Sequence, residues 1–381
     1  MTDEPTPVAG EGRKNAQPTQ PGTRLASIDA LRGFDMLWII GGQGALLAFV
    51  ALFVNPVPDW FARQFHHVEW IGFSFWDLIM PLFLFVSGAS MPFSFSKWAS
   101  SGGSRRRLYL RIARRVLILW VLGMAAQGHL LEYDFSKLFF YSNTLQSIAS
   151  GYLIAAILVL TLPISGQVIA GGALLVGYWL LMAFVPVPGH GAGVLEPTVN
   201  LAMYVDEVVL GRFRDGTTYT WVLSSMVFGV SLLLGVFGGH ILRSGVSPNR
   251  KVFHLLAAGV GCLAAGWIWS FWFPIVKHIW TSSMVLWAGG WSYLLLGSFH
   301  WVIDVKGYRK WAFPLVAIGV NAIGVYTVTR VYDFGDISDI LLGHLTPRLG
   351  AFGNFLNEFG ALLAPWLILL YMYRKKTFIR V

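Results

Sequence analysis

Long apolar runs, separated by short polar breaks, make up the chain from residue 25 onward. A membrane-crossing helix needs about 20 mostly apolar residues. Ten stretches meet that need: 33–54, 75–96, 108–127, 144–162, 167–186, 220–242, 252–274, 282–303, 312–331 and 360–373. The last is short and is expected to begin earlier, near Phe352. The stretch 332–358 has room for an eleventh. In lipid the backbone must satisfy its own polar groups, so such runs form helices. The pattern therefore predicts an all-α, polytopic membrane helical bundle of about ten transmembrane helices. It shows no strong internal repeat, which weighs against a transporter built from inverted halves.

The first residues break this pattern. Residues 1–24 are polar and rich in Pro and Gly, which predicts a disordered tail. They lack the apolar core of a signal peptide, so the first span is expected to act as an uncleaved anchor. Residues 25–381 then form one transmembrane domain.

Composition agrees with the pattern. Of 381 residues, 55% are hydrophobic and 12% charged, where a soluble domain carries about 25% charged residues. Mean hydropathy is +0.60. The 17 Trp and 28 Phe suit interfacial aromatic belts facing membrane lipid. The net charge of +9 would suit nucleic acid, but the charge sits in short loops between apolar runs. No nucleic acid partner is expected. The single Cys262 lies in an apolar run and excludes both an internal disulfide and a thiolate metal cluster.

Charge also orients the bundle. All 28 Lys and Arg fall on the side of the N-terminus except Arg63, Lys137, Arg212, Arg214, Lys277, Arg330 and Arg348. The positive-inside bias predicts that both termini are cytoplasmic, N-in and C-in. The expected location is a bacterial cytoplasmic (inner) membrane. His66, His67 and Glu69 then lie on the outer face.

Four stretches carry candidate chemistry. The first is SIDALRGFDMLWIIGGQG, Ser27 to Gly44. Ser27 or Asp29 is suited to cap the first helix. Arg32 and Asp35, three apart, share a helix face and are expected to pair. Gln43, buried among glycines, needs a hydrogen-bond partner and is a candidate to face a site.

The second is FHHVEWIGFSFWDLIMPLFLFVSGASM, Phe65 to Met91. An imidazole accepts a proton near neutral pH, and ionisable groups at a membrane boundary are costly and usually functional. Asp77 or Glu69 is placed to orient the His67 ring and stabilise its charged form. Adjacent His66 and His67 point in different directions, and no other His cluster is evident, so no metal site is expected.

The third is the basic run SGGSRRRLYLRIARR, Ser101 to Arg115. Positive-inside bias accounts for most of its charge. Arg111, Arg114 and Arg115, however, continue into the third span. Arginine forks suit phosphate, so a phosphorylated cytosolic donor such as coenzyme A fits Arg105, Arg106, Arg107, Arg111, Arg114 and Arg115. Neither a Walker motif nor a dinucleotide fingerprint is present. The fourth is FPIVKHIWTSSMVLWAGG with IDVKGYRKWAFPLVAIGVNAIGVY. Lys277, His278 and Trp280 lie at an outer boundary. Asn321 lies mid-span, where it serves either as an interhelical hydrogen bond or as a site group.

These blocks resemble the heparan-alpha-glucosaminide N-acetyltransferase family of transmembrane acyltransferases. The match rests on SIDALRGFDM, on HVEWIGFSFWDLIMPLFLFVSGASM, on FPIVKHIWTSSMVL and on DVKGYRKWAFPLVAIGVNAIGVY, with a weaker one at NTLQSIASGYLIAA. It makes residues 25–381 a transmembrane acyltransferase domain. It implies transfer of an acetyl group from cytosolic acetyl-CoA to a sugar or glycan acceptor across the membrane. The family's catalytic histidine falls on His67 and its active-site asparagine on Gln43. The Asn usual before the lysine of the third block is Val276. Candidate acceptor-side residues are thus Gln43, Trp70, Lys277, Trp280 and Asn321. A second copy of the chain, as a homodimer, is a further candidate partner. A small-sugar permease with a His67–Asp77 proton relay is the alternative reading.

The charge bias makes a direct prediction. Reporter fusions after Phe65 and after Arg106 should report opposite sides of the membrane. Finding both on one side would overturn the orientation.

Overall fold

The computed structural model describes residues 25–100 and 104–379. The tail expected at 1–24 lies outside them. The described chain forms α1 (Ala26–Leu37), α2 (Gln43–Ala51), α3 (Asp59–Ala62), α4 (Phe75–Ser100), α5 (Arg105–Gln127), α6 (Thr144–Thr161) and α7 (Ile164–Phe184). It continues as α8 (Leu201–Leu210), α9 (Ser225–Arg243), α10 (Pro248–Trp269), α11 (Ser282–Phe299), α12 (Phe313–Gly319), α13 (Ala322–Val331), α14 (Gly335–Leu342) and α15 (Gly350–Arg374).

Among the described residues, seven helical units are long and apolar enough to cross a membrane: Ala26–Ala51, Phe75–Trp98, α6, α7, α9, α10 and α15. The bent pair of α12 and α13 makes eight if it counts as one span. The chain is therefore a polytopic all-helical bundle. The spans expected at 108–127 and 282–303 appear as α5 and α11, of 23 and 18 residues. Arginines dilute the first and Ser and Gly the second. At 332–358 the helices are the eight-residue α14, too short to span, and the start of α15.

Two spans are broken, each for a visible reason. Between α1 and α2 the helix widens over Trp38–Gly42, and Gly41 takes φ 125°. Only glycine adopts that conformation without strain, and a Cβ there would press on the Leu362 backbone at 3.3 Å. Between α12 and α13 the axis bends by 72°. The break falls at Asn321, whose side chain is not spent on capping α13. Its amide instead holds the C-terminal segment, donating to Thr377 O at 3.2 Å and accepting from Ile379 N at 2.9 Å.

Burial separates core from periphery. Of the most apolar stretch of each span, 72% is buried in α4 and 67% in α9, against 22% in α10 and 11% in α15. The centre of the bundle is thus α4 packed on α9, while α10 and α15 turn most of their surface outward. Lipid tails are as apolar as leucine, so close backbone approach must hold such a pair together. Gly88 lies against the Leu232 backbone and Gly235 against the Phe85 backbone; a Cβ at either would fall 1.9 Å from a carbonyl oxygen.

One expected pair at the start of α1 is replaced. Arg32 reaches Asp29 Oδ1 at 3.3 Å and Ser90 Oγ of α4 at 2.8 Å. Its guanidinium also lies 3.5 Å from Gly319 O of α12. It therefore turns away from Asp35, which is fully buried with neither oxygen hydrogen-bonded. No side-chain cap forms at the α1 N-terminus, where Leu25 holds the cap position.

The α4–α9 contact can be tested directly. Gly88→Ala and Gly235→Ala should each destabilise the protein by about 1–3 kcal/mol, the usual cost of overpacking. Gly172, with nothing within 4 Å of a Cβ, should accept alanine without loss. Thermal unfolding in detergent measures all three, and equal midpoints would refute the packing argument.

Candidate active site

The candidate site forms at one end of the bundle, where α4 begins and two loops lie against it. The loop before α4 reaches the loop before α11 through Gly72 N, which donates to Ile275 O at 2.9 Å, beside an antiparallel bridge of Ile71 with Val276. Gly72 takes φ 130°, which lets the loop turn there. The second loop closes on itself: Val276 N donates to Thr281 Oγ1 at 3.1 Å, and Thr281 N to Val276 O at 3.1 Å. Lys277, caught inside that turn, is held facing the first loop.

Asp77 lies in the first turn of α4 and is 1% exposed. Its Oδ2 receives Ser74 N at 3.1 Å, Ser74 Oγ at 3.0 Å and Val68 N at 3.3 Å. Backbone donors and the positive end of a helix favour a carboxylate there. That leaves Oδ1 for two neighbours. His67 Nδ1 is 2.8 Å away and Lys277 Nζ 3.4 Å. Lys277 Nζ also lies 3.1 Å from His67 Nδ1.

The carboxylate is the charged acceptor at the shorter distance, so Nδ1–H donates to Asp77. The neutral ring then carries its lone pair on Nε2, as a general base requires. The His67 side chain is 45% exposed, so the ring meets solvent while its partners are buried. Burial pulls the Lys277 ammonium down to about 8, against the opposing pull of Asp77. His278 is driven down to about 4, first by burial and then by the charge of Lys277. It is therefore neutral near pH 7.

The remaining sequence-derived residues scatter. Glu69 is exposed and makes no hydrogen bond to His67. Gln43 Nε2 donates to Phe65 O at 2.6 Å, tying α2 to the segment that carries His66 and His67. Trp70 Nε1 donates to Leu195 O at 2.7 Å, and its ring meets His278 edge-on at 5.4 Å. Trp280 is 1% exposed, bonded to Ser231 Oγ at 3.0 Å and packed on Phe228. Asn321 is occupied with the C-terminal segment.

Arg105, Arg106, Arg107, Arg111 and Arg114 are exposed along α5. Arg115 turns inward. Its guanidinium lies 4.3 Å over the Tyr152 ring and 3.4 Å from Ser87 Oγ, while its Nε is buried without a hydrogen-bond partner.

Two groups at the site escaped sequence reasoning. Ser74 is recognisable in hindsight from its spacing, three residues before a carboxylate at a helix start. Tyr219 carried no signal. It comes from a distant loop, and its ring stands 6.4 Å from that of His67.

No protein-family model matches the chain. It is similar to the heparan-alpha-glucosaminide N-acetyltransferase of Homo sapiens, at 24% identity over 374 residues, covering 81% of this chain and 53% of the human protein. The Mus musculus protein of the same name is 24% identical over 380 residues, covering 82% of this chain and 55% of its own length. The chain thus spans about half the length of the curated relatives it matches.

Proposed function

We propose that this chain is an integral-membrane acetyltransferase that moves an acetyl group from cytosolic acetyl-CoA to an amino or hydroxyl group of a sugar at the outer face. The observation that carries this reading is the His67–Asp77 pair. Its imidazole is half exposed, and its Nδ1 is engaged by a buried carboxylate. The names of the relatives, both N-acetyltransferases acting on a glucosaminide, support an amino-sugar acceptor.

The chemistry follows from the geometry. The acceptor attacks the thioester carbonyl carbon while His67 Nε2 takes its proton. A new C–N or C–O bond forms, and the carbonyl electrons move onto oxygen. Collapse of that intermediate breaks the C–S bond, and the imidazolium returns the proton to the departing thiolate. Asp77 holds the ring and stabilises its charged form. Lys277 lies on the Nδ1 side and keeps the buried Asp77 charge paired. The α5 arginines suit the phosphates of coenzyme A. Arg115, with its unmet Nε–H, is the member of that set that is turned inward.

The central test is single-turnover transfer by purified protein, with labelled acetyl-CoA binding measured alongside. His67→Ala should lose about 10²–10⁴-fold in rate while still binding acetyl-CoA. His66→Ala should retain most of its activity. A permease has no reason to bind acetyl-CoA, so absence of binding by the wild-type protein would sink the reading. Normal transfer by His67→Ala would do the same.

Lys277 sets a pH dependence. The ammonium is charged below about 8 and neutral above, where Asp77 loses its cationic partner. Transfer, corrected for ionisation of the acceptor, should therefore fall as pH rises through about 8. In Lys277→Arg the guanidinium stays charged, and the fall should move to higher pH. An alkaline limb unmoved by that substitution would show that Lys277 does not set it.

A further inference from the structure

Both contacts of Lys277 with the pair are made at His67 Nδ1 and Asp77 Oδ1. They lie on the edge of the ring opposite the reacting Nε2. Lys277 is therefore spent on the buried charge, and the oxyanion that forms during acyl transfer needs another donor. Such donors work best when fixed in advance and partly shielded from water.

Tyr219 meets those conditions. Its ring lies parallel to His278, with centroids 4.2 Å apart at 13°, and near-parallel to Trp221 at 6.1 Å and 29°. Its plane stands at 72° to that of His67, with the ring centroids 6.4 Å apart. The loop that carries it is fastened on both sides. Thr218 Oγ1 lies 2.6 Å from His278 Nδ1, and Thr220 N donates to His278 O at 3.0 Å. Beyond it, Trp221 N and Val222 N donate to the buried Asp206 at 2.7 and 2.9 Å. The ring is thus immobilised, yet among the described residues Tyr219 makes a hydrogen bond only through its backbone N, and its hydroxyl has no partner. Burial, and the nearby Asp77 charge, push the phenol pKa up. The hydroxyl therefore keeps its proton through neutral pH and acts as a donor.

We infer that Tyr219 is a catalytic residue of this site, its hydroxyl donating a hydrogen bond to the acyl oxygen of the tetrahedral intermediate. The inference rests on the acetyltransferase reading above. Tyr219 transfers no proton. The acceptor's proton still passes to His67 and then to the thiolate, and the phenol only stabilises negative charge on the oxygen until the C–S bond breaks.

Tyr219→Phe removes the hydroxyl and keeps the ring stack. Because the hydroxyl has no partner among the described residues, the variant should fold with an unchanged melting midpoint. Single-turnover transfer should fall on the order of 10²-fold, the usual effect of losing one such donor. Acetyl-CoA affinity and acceptor KM should stay near wild type, a split that a merely structural role would not produce. A wild-type chain that transfers, beside a Phe variant that transfers equally fast, removes the Tyr219 role alone. So does a variant whose loss lies wholly in donor affinity or in KM. A wild-type chain that neither binds acetyl-CoA nor transfers overturns the functional reading and this role with it.

Discussion

The constraint on which the site depends is a buried negative charge. An isolated carboxylate in an apolar medium is too costly to keep unless it is paired and hydrogen-bonded. Asp77 meets that demand from four directions: the start of α4, the preceding loop through Val68 and Ser74, the His67 ring and the Lys277 ammonium. Each partner comes from a segment that must be positioned before the charge is tolerable. The two loops at this end are therefore joined by the same interaction that prepares His67. The geometry of the candidate site and local stability share one set of bonds.

The bundle beneath supplies the rigidity. The close contact of α4 with α9 at Gly88 and Gly235 holds the helix that carries Asp77. Trp280, in the loop that carries Lys277, sends its indole into the core between Ser231 and Phe228 of the same α9. One helix thus indirectly fixes the relative placement of the carboxylate and the ammonium.

The breaks in other spans have a different character. Gly41 relieves the helix where α15 approaches, and Asn321 trades helix continuity for a grip on residues 377–379. Both are polar or strained points in an apolar setting, of the kind that draws attention in a sequence. Only one of the two lies near a residue of the His67 segment: Gln43, two positions beyond Gly41, bonds to Phe65 O. A costly group in a membrane chain marks a structural necessity as readily as a reaction.

The sequence by itself determined the helical, membrane-spanning class, because apolar length and the need to satisfy backbone groups in lipid leave few alternatives. It also isolated His67 and Asp77, whose ten-residue separation keeps them within one local segment. It could not decide which carboxylate the ring would meet. Glu69 is nearer in sequence, but Ser74 and the start of α4 fix Asp77 instead. It paired Arg32 with Asp35 by spacing, whereas the packed helices offer Asp29 and Ser90. Lys277 and Tyr219 lie 210 and 152 positions from His67. Their arrival beside it depends on how α4, α9 and the loops pack, and no local pattern encodes that. Helical periodicity reports neighbours on one element; which elements meet, and which side chain a buried charge finds, is settled only by tertiary packing.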